Sequence, residues 1–199
     1  MGAKKSKETS SHPKKSDPAE LTQEEIQLLL QNTHFNQKQI EEWHSGFIKD
    51  CPKGKLDKKK FIDVYKQFYP HGKADKFCGH VFKTFDTDGS GEIDFVEFLI
   101  AISVTSQGDI KDKLRMAFNM YDIDKNGRID KKEMEKIIEA IYDLLGEENR
   151  KGENSPPRRV LKIMAKLDKN NDGSLSPDEF INGCLNDEIL RHLLAPNAC

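Results

Sequence analysis

Apolar side chains recur every three to four residues through most of the chain, which is the period of helices that bury one face. Short polar segments rich in Asp, Gly and Asn separate these stretches. The pattern therefore predicts an all-α protein built from short amphipathic helices and polar loops. The clearest stripes are Phe77, Val81 and Phe85; Leu114, Phe118 and Tyr121; Met134, Ile137, Ile138 and Ile141; and Val160, Ile163, Met164 and Leu167.

Three of the polar segments repeat one twelve-residue pattern: DTDGSGEIDFVE (86–97), DIDKNGRIDKKE (122–133) and DKNNDGSLSPDE (168–179). Oxygen-bearing side chains stand at positions 1, 3, 5 and 9, glycine at 6, an apolar residue at 8 and glutamate at 12. Calcium takes six to eight oxygen ligands in a flexible shell, which alternate positions of a tightly turned loop can supply. The alternative, acidic surface turns, explains neither the glycines nor the terminal glutamates.

We number these segments loops 2, 3 and 4, and expect calcium at each of them. Position 7 contributes its main-chain carbonyl and position 12 a bidentate carboxylate in loops of this kind. The predicted ligands are Asp86, Asp88, Ser90, Glu92, Asp94 and Glu97 in loop 2; Asp122, Asp124, Asn126, Arg128, Asp130 and Glu133 in loop 3; and Asp168, Asn170, Asp172, Ser174, Ser176 and Glu179 in loop 4.

An earlier segment, 49–60, aligns as a fourth copy, loop 1, but has lost the ligand chemistry. Its ligand positions 1, 3, 5 and 12 carry Lys49, Cys51, Lys53 and Lys60. Clustered ammonium groups repel a divalent cation, so loop 1 is not expected to bind calcium. Gly54 and Leu56 retain the turn and the apolar position 8, which predicts a structural mate for loop 2 through pairing of Leu56 with Ile93.

Because loops of this type work in pairs, the predicted fold is all-α, with four helix–loop–helix motifs in two paired lobes and short β-bridges between paired loops. A longer connection, 146–159, separates loops 3 and 4. The predicted organisation is a basic tail (1–20), an amino-terminal lobe (21–102), a linker (103–111), a carboxyl-terminal lobe (112–185) and an amphipathic segment (186–199).

Composition narrows the function. The net charge of −2 over 199 residues gives no case for a nucleic-acid partner. The chain contains no apolar run of 18 residues, the length that a membrane-spanning helix needs. The four cysteines form no CxxC pair, which favours reduced thiols. Motifs such as HExxH, GxSxG and GxxxxGK[ST] are absent, and we expect no enzymatic activity.

The amino terminus, Met1 to Ser6, fits the N-myristoylation signal M-G-x-x-x-[ST], with Gly2 as the acceptor. One myristoyl chain binds membranes only marginally, and a polybasic patch is a usual second signal. We therefore expect a cytoplasmic protein that lies peripherally on anionic membranes, with a solvated basic tail as the alternative. The lysines that follow are Lys4, Lys5, Lys7, Lys14 and Lys15.

Several stretches resemble the neuronal calcium sensor family (frequenin, recoverin and visinin-like proteins), closest to the frequenin branch. They are MGAKKSK at the start, LLLQNTHFNQKQI (28–40), EEWHSGFIKDCPKGKL (41–56) and YKQFYPHG (65–72). The resemblance covers about residues 21–190. It implies four EF-hands in two lobes, N-myristoylation, and calcium-dependent exposure of an apolar groove to membranes and target helices. The tail before Leu21 and the terminal LLAPNAC depart from the family pattern.

The predicted function is a calcium sensor that binds three calcium ions and regulates targets, with amphipathic helices of target proteins as partners. One alternative is a calcineurin B-like regulatory subunit of a phosphatase, which DTDGSGEIDFVEF resembles but the disabled loop 1 argues against. The other is a cytosolic calcium buffer. The candidate groove residues, each of which could instead pack in the core, are Trp43, Phe47, Phe61, Tyr65, Phe68, Phe82, Phe85, Phe98 and Leu99.

The segment 186–199 predicts a short helix with Ile189, Leu190, Leu193 and Leu194 on one side. An amphipathic helix tethered near a groove can cover it. The other interpretation is that these residues form the last core helix of the carboxyl-terminal lobe.

Overall fold

In a computed structural model of the protein, the described residues are 20–68, 73–148 and 150–195. The predictions for Gly2 and the basic tail lie outside them, as does the end of the carboxyl-terminal segment. Among the described helices, none has the length and apolar character that a membrane span requires.

The described residues form ten α-helices and four short strands. In the amino-terminal half these are α1 (Gln23–Asn32), α2 (Gln37–Asp50), β1 (Lys55–Asp57), α3 (Lys58–Phe68), α4 (Asp75–Phe85), β2 (Glu92–Asp94) and α5 (Phe95–Gln107). In the carboxyl-terminal half they are α6 (Ile110–Tyr121), β3 (Ile129–Asp130), α7 (Lys131–Leu145), α8 (Pro156–Leu167), β4 (Ser174–Leu175), α9 (Pro177–Asn186) and α10 (Glu188–Leu194), with a 3₁₀ turn at Gly152–Asn154.

The two strand pairs confirm the predicted architecture of paired loops. β1 runs antiparallel to β2, with Leu56 opposite Ile93. β3 runs antiparallel to β4, with Ile129 opposite Leu175. Each pair therefore joins two helix–loop–helix motifs at their apolar position 8, and loop 1 keeps this role without the ligand residues.

The exit helices of loops 2, 3 and 4 begin within the loops themselves. Asp94 caps α5, and its side chain accepts a hydrogen bond from the Glu97 N–H at 2.9 Å. The Glu97 carboxylate accepts a bond in return from the Asp94 N–H at 3.2 Å. Positions 9 and 12 thus form a capping box in each of these loops, which starts the helix and fixes both side chains. In α9 the cap is Ser176, and Pro177 follows it at the first helical position.

Each lobe has its own core, and the two cores are built from different side chains. The amino-terminal core is rich in rings, with Phe47 and Phe95 centred 5.5 Å apart. The carboxyl-terminal core consists mainly of Ile, Leu, Met and Val around Phe118 and Phe180.

The lobes also pack against each other, chiefly through α4, α6 and α7. Leu144 of α7 belongs to the amino-terminal core. Its neighbour Asp143 forms ion pairs with Lys76 of α4 at 3.0 Å and with Arg150 at 2.7 Å. The Asp143 carbonyl also accepts a hydrogen bond from the Lys73 N–H at 2.8 Å. We call Asp143, Lys76, Lys73 and Arg150 the interlobe latch.

The region predicted as a linker, 103–111, is mostly helical. Helix α5 continues to Gln107, and within its last turns Ser103 is buried, with its hydroxyl accepting a hydrogen bond from the His34 N–H at 2.9 Å. Only Gly108 and Asp109 separate α5 from α6. A Cβ at Gly108 would collide with the Val104 carbonyl oxygen, so glycine is needed there.

The apolar residues of α10 do not share one environment, in contrast to the predicted single face. Leu190 and Leu194 are buried in the carboxyl-terminal core, and Leu193 packs against it while partly exposed. Ile189 is 77% exposed. The residues Leu190 and Leu194, four apart, lie one above the other on the helix, whereas Ile189 is rotated by about 100° from Leu190.

Candidate calcium sites and apolar cavity

Three carboxylates converge in loop 2. One oxygen from each of Asp86, Asp88 and Glu97 lies within 4.8 Å of the others. The Gly91 N–H donates to Asp86 Oδ2 at 3.0 Å, and the Thr87 N–H donates to Glu97 Oε1 at 2.8 Å. Asp86 Oδ1 is buried and has no hydrogen-bond partner among the described residues. A buried, unpaired carboxylate oxygen beside two further carboxylates fits a divalent cation such as calcium.

The other predicted ligands of loop 2 lie along the same turn. The Ser90 N–H donates to Asp88 Oδ1 at 2.9 Å, and Ser90 Oγ donates to the Glu92 carbonyl at 2.8 Å. The Asp94 side chain is held by the capping hydrogen bond from the Glu97 N–H. Gly91 adopts a φ of 83°, a left-handed conformation that favours glycine and turns the chain back toward Asp86.

Loop 3 repeats this arrangement. Oxygens of Asp122, Asp124 and Glu133 lie within 4.8 Å of one another. The Gly127 N–H donates to Asp122 Oδ2 at 2.8 Å, and the Ile123 N–H donates to Glu133 Oε1 at 2.9 Å. Two independent loops therefore bring the same three positions together, and both sets fit calcium.

The remaining predicted ligands of loop 3 are positioned by local bonds. Asn126 Oδ1 accepts from the Arg128 N–H at 2.8 Å. Asp130 caps α7 and accepts from the Glu133 N–H at 2.8 Å.

Loop 4 has the same frame but a different charge distribution. The Gly173 N–H donates to Asp168 Oδ2 at 2.9 Å, and the Lys169 N–H donates to Glu179 Oε1 at 3.1 Å. In the part of the chain that the structure describes, sets of three converging carboxylates occur in loops 2 and 3 but not in loop 4.

The polar ligands of loop 4 are bound to one another. Asn170 Oδ1 accepts from the Asp172 N–H at 2.9 Å, and Asp172 Oδ1 accepts from the Ser174 N–H at 3.0 Å. Ser176 caps α9, with its Oγ donating to Glu179 Oε2 at 2.8 Å. Local hydrogen bonds therefore fix the side chains at positions 1, 3, 5, 7, 9 and 12 of the loop.

Main-chain hydrogen bonds favour the ionised form of two ligands. The Ser90 N–H lowers the pKa of Asp88, and the Ser174 N–H lowers the pKa of Asp172 to about 2. Burial raises the pKa of Asp94. A metal ligand must be deprotonated, and both shifts keep these predicted ligands ionised at neutral pH.

Loop 1 carries no carboxylate at its ligand positions 1, 3, 5 and 12. Lys60, at position 12, donates to the Asp50 carbonyl. Lys49 and Lys53 are exposed, whereas Cys51 is buried and burial raises the pKa of its thiol. The free thiols of Cys78 and Cys184 are also buried.

An apolar cavity of about 1500 Å³ opens between the lobes. The candidate groove residues that line it are Trp43, Phe47, Phe61, Tyr65, Phe85 and Phe98. Phe82 and Leu99 do not line it, because their side chains are almost fully buried in the amino-terminal core. Phe68 ends α3, and its side chain lies outside the described residues.

The opposite wall of the cavity comes from the carboxyl-terminal lobe, and the contribution of α6 and α7 to it was not predicted, whereas Leu193 and Leu194 belong to the segment predicted either to cover a groove or to pack in the core. Met116 and Met120 stand four residues apart on α6, a spacing that was visible in the sequence but carries no information about which lobe it faces. The further lining residues are Ala117, Ile141, Leu144, Leu145, His192, Leu193, Leu194 and Ala195.

Two family models described as an EF-hand domain pair match the chain, one over residues 52–102 and the other over residues 111–185. The fold and the loop geometry therefore define a calcium-binding protein with two pairs of EF-hands, one pair in each lobe.

Curated relatives are similar over most of their length. The chain is 44% identical over 174 residues to neuronal calcium sensor 1 of Aplysia californica, which covers 86% of this chain and 91% of that relative. It is 40% identical over 176 residues to S-modulin of Aquarana catesbeiana (86% and 87% covered) and 38% identical over 176 residues to human recoverin (86% and 88% covered). The chain belongs to the family of recoverin and neuronal calcium sensors, and the frequenin branch fits these matches.

Proposed function

We propose that this calcium sensor holds calcium at loops 2, 3 and 4 and presents its apolar cavity to an amphipathic helix of a target protein at a membrane surface. The position-12 glutamate of each loop would hold calcium with the aspartates of that loop, and the ion would supply the charge that fixes the first turn of the exit helix. In loops 2 and 3 those glutamates, Glu97 and Glu133, lie at the first turns of α5 and α7. Both helices contribute walls of the cavity, which links the ligand positions to the apolar surface.

The observation that carries this proposal is the cavity itself. At about 1500 Å³ it exceeds the usual 300–1,000 Å³ of a small-molecule pocket, and an extended apolar trough is the shape that a helix occupies. Trp43 is 40% exposed at its wall, packed 6.0 Å from Phe35 and 6.1 Å from Phe98 between ring centres. Methionine on the opposite wall adapts to different partner side chains.

The membrane part of the proposal rests on the M-G-x-x-x-[ST] signal and its lysines, which lie outside the described residues. A myristoyl group on Gly2 would place the amino terminus at the bilayer. Exposed Lys49, Lys53 and Lys59 of the amino-terminal lobe add positive charge to the same half of the chain.

The test uses Trp43, the only tryptophan in the chain, as the reporter. A basic amphipathic helical peptide is titrated into the protein with calcium and with chelator, and Trp43 emission is followed. We expect saturable binding with calcium that weakens at least tenfold with chelator. Phe98→Ser should weaken binding, whereas Leu28→Ser, at an exposed position of α1, should not.

The two rival functions correspond to different outcomes. A buffer would bind calcium without any change in the affinity of the peptide or of an apolar dye. A phosphatase subunit would form an equimolar complex with a catalytic chain that persists in chelator. Either result would replace the proposal of a calcium-dependent switch.

A further inference from the structure

One side chain of loop 3 enters the ligand set of loop 4. Arg128 occupies position 7 of loop 3, where its main-chain carbonyl is the predicted ligand. Its guanidinium crosses the β3–β4 ribbon, with Nε donating to Ser174 Oγ at 2.6 Å and Nη2 forming an ion pair with Asp172. Asp130 lies directly opposite Ser174 in the ribbon, which places Arg128, two residues earlier, close to loop 4.

Both oxygens of Asp172 are occupied by donors. Oδ1 accepts from the N–H and the hydroxyl of Ser174, at 3.0 and 2.9 Å. Oδ2 accepts from Asn170 Nδ2 at 2.8 Å and from Arg128. Asp172 stands at position 5 of loop 4, so the guanidinium holds a carboxylate that the proposed calcium site requires.

Lys55, at position 7 of loop 1, also crosses its ribbon and pairs with Glu92 of loop 2 at 3.4 Å, but Glu92 is expected to offer its main-chain carbonyl rather than its carboxylate. The carboxylates that converge in loops 2 and 3 form no ion pair with lysine or arginine among the described residues. Loop 4 has three carboxylates at its ligand positions, namely Asp168, Asp172 and Glu179, and Arg128 neutralises one of them. The converging sets of loops 2 and 3 use positions 1, 3 and 12, and loop 4 carries Asn170 at position 3, which leaves Asp172 as its third carboxylate.

We propose that Arg128 sets the calcium affinity of loop 4, acting as an internal cation that competes for Asp172 and makes loop 4 fill after loop 3. This inference rests on the proposed function, since it assumes that loop 4 binds calcium. The same residue serves both sites, with its carbonyl in the ligand set of loop 3 and its side chain in that of loop 4. Besides the β3–β4 ribbon, Arg128 therefore connects the two sites through its side chain.

The sign of the effect follows from charge. Removing the guanidinium frees Asp172 Oδ2 and takes a positive charge away from a site for a divalent cation. Loss of an exposed ion pair and of this repulsion should change the calcium affinity of loop 4 by roughly three- to tenfold. The opposite role, in which Arg128 holds Asp172 in the correct place for calcium, predicts weaker binding after the same substitution.

The experiment follows the amide signals of Gly127 and Gly173 by NMR during calcium titration of the full chain. These glycines occupy position 6 of loops 3 and 4, so each reports one site. Arg128→Met keeps the side-chain length and removes the charge, and Lys132→Met removes one charge from the same loop without touching Asp172. The midpoint of each glycine is the calcium concentration at which its signal has changed by half. We expect the Gly173 midpoint to fall about three- to tenfold in Arg128→Met, with the Gly127 midpoint changing less than twofold.

The remaining variants separate the possible failures. Arg128→Lys should return the Gly173 midpoint most of the way to that of the native chain, and Lys132→Met should leave it within twofold. A Gly173 midpoint in Arg128→Met that is unchanged or higher overturns the inference, as does an equal fall in Lys132→Met. If Gly173 of the native chain ignores calcium while Gly127 responds, the proposed function fails at loop 4. In that case a calcium response of Gly173 that appears in Arg128→Met supports the inference. The absence of such a response overturns it.

Discussion

Leu56 lies opposite Ile93 in the ribbon that joins loops 1 and 2, although loop 1 carries lysine where its partner carries carboxylates. Leu56 is 8% exposed and Ile93 is fully buried. The pairing ties the backbone of the competent loop to that of a loop without metal ligands. Loop 1 is therefore the structural partner of loop 2, as its apolar position 8 predicted.

Leu56→Ala should destabilise the amino-terminal lobe by about 2–5 kcal/mol, the usual cost of such a truncation in a core. It should also weaken calcium binding at loop 2, because the ribbon loses one side of its apolar contact. Urea denaturation followed by Trp43 fluorescence measures the first effect, and calorimetry measures the second. Leu28→Ala, at a position that is 45% exposed, is the matched control and should cost less than about 1 kcal/mol.

Calcium titration should detect three ions per chain, with affinities in the sensor range of roughly 10⁻⁷–10⁻⁵ M. Glu97→Gln, Glu133→Gln and Glu179→Gln should each remove one ion, since each takes away the bidentate ligand of one loop. Loop 4 has three ligand carboxylates against four each in loops 2 and 3, so Glu179→Gln should abolish the weakest step. Native mass spectrometry that counts four ions, or loss of the tightest step in Glu179→Gln, would contradict these expectations.

The loops and their pairing could be predicted because their chemistry is local. A twelve-residue pattern specifies the turn, the ligands and the cap of the next helix, and the apolar position 8 specifies the bridge. Leu56 and Ile93 could be paired from spacing alone, and their pairing is confirmed.

Contacts between the lobes could not be predicted in the same way. Asp143 was one of four acidic residues on α7, and only the folded chain places it beside Lys76 and Arg150. The reach of Arg128 to Asp172 likewise spans 44 residues of sequence. Side-chain periodicity indicates that a face is buried, but it carries no information about the partner that buries it.

The interlobe latch should make stability depend on pH in a defined direction. Hydrogen bonds from Arg150 and Lys76 lower the pKa of Asp143 below its ordinary value. A carboxyl whose folded pKa is depressed stabilises the protein above its unfolded pKa of about 4, and this contribution is lost as pH falls through the folded pKa. The difference in unfolding free energy between the native chain and Asp143→Asn should thus be constant above about pH 5 and shrink below about pH 4.

Two further variants show whether the latch itself is responsible. Lys76→Gln should lower the unfolding free energy at neutral pH by part of the amount that Asp143→Asn lowers it. This part should be less than about 1 kcal/mol, because Lys76 is largely exposed. Lys38→Gln, in the exposed pair with Glu42, is the control and should leave the pH dependence unchanged. If the unfolding free energies of Asp143→Asn and the native chain differ by a constant amount down to pH 3, the interlobe latch does not cause the pH dependence.

Membrane binding should need both the acyl chain and the lysines of the tail. Gly2→Ala removes the acylation site, and replacing Lys4, Lys5 and Lys7 with Gln removes about 1 kcal/mol of attraction per charge near an anionic surface. Co-sedimentation with phosphatidylserine vesicles, using protein made in a myristoylating host, should fall in both variants. Vesicles without anionic lipid are the control for the lysines, and full sedimentation of Gly2→Ala would exclude the anchor.

The carboxyl-terminal helix should act both as a core element and as a cover of the cavity, with different residues for each role. Leu190 is buried in the carboxyl-terminal core and does not line the cavity, so Leu190→Ala should lower stability by about 2–5 kcal/mol without tightening target binding. Leu193 is only partly buried and lines the cavity, so Leu193→Ala should tighten binding of the helical peptide and cost less stability. Ile189→Ala, at a position that is 77% exposed, is the control for both measurements. Thermal unfolding and peptide titration by Trp43 fluorescence separate the two roles. An equal loss of stability in both leucine variants, with no gain in affinity from Leu193→Ala, would leave α10 as a core helix alone.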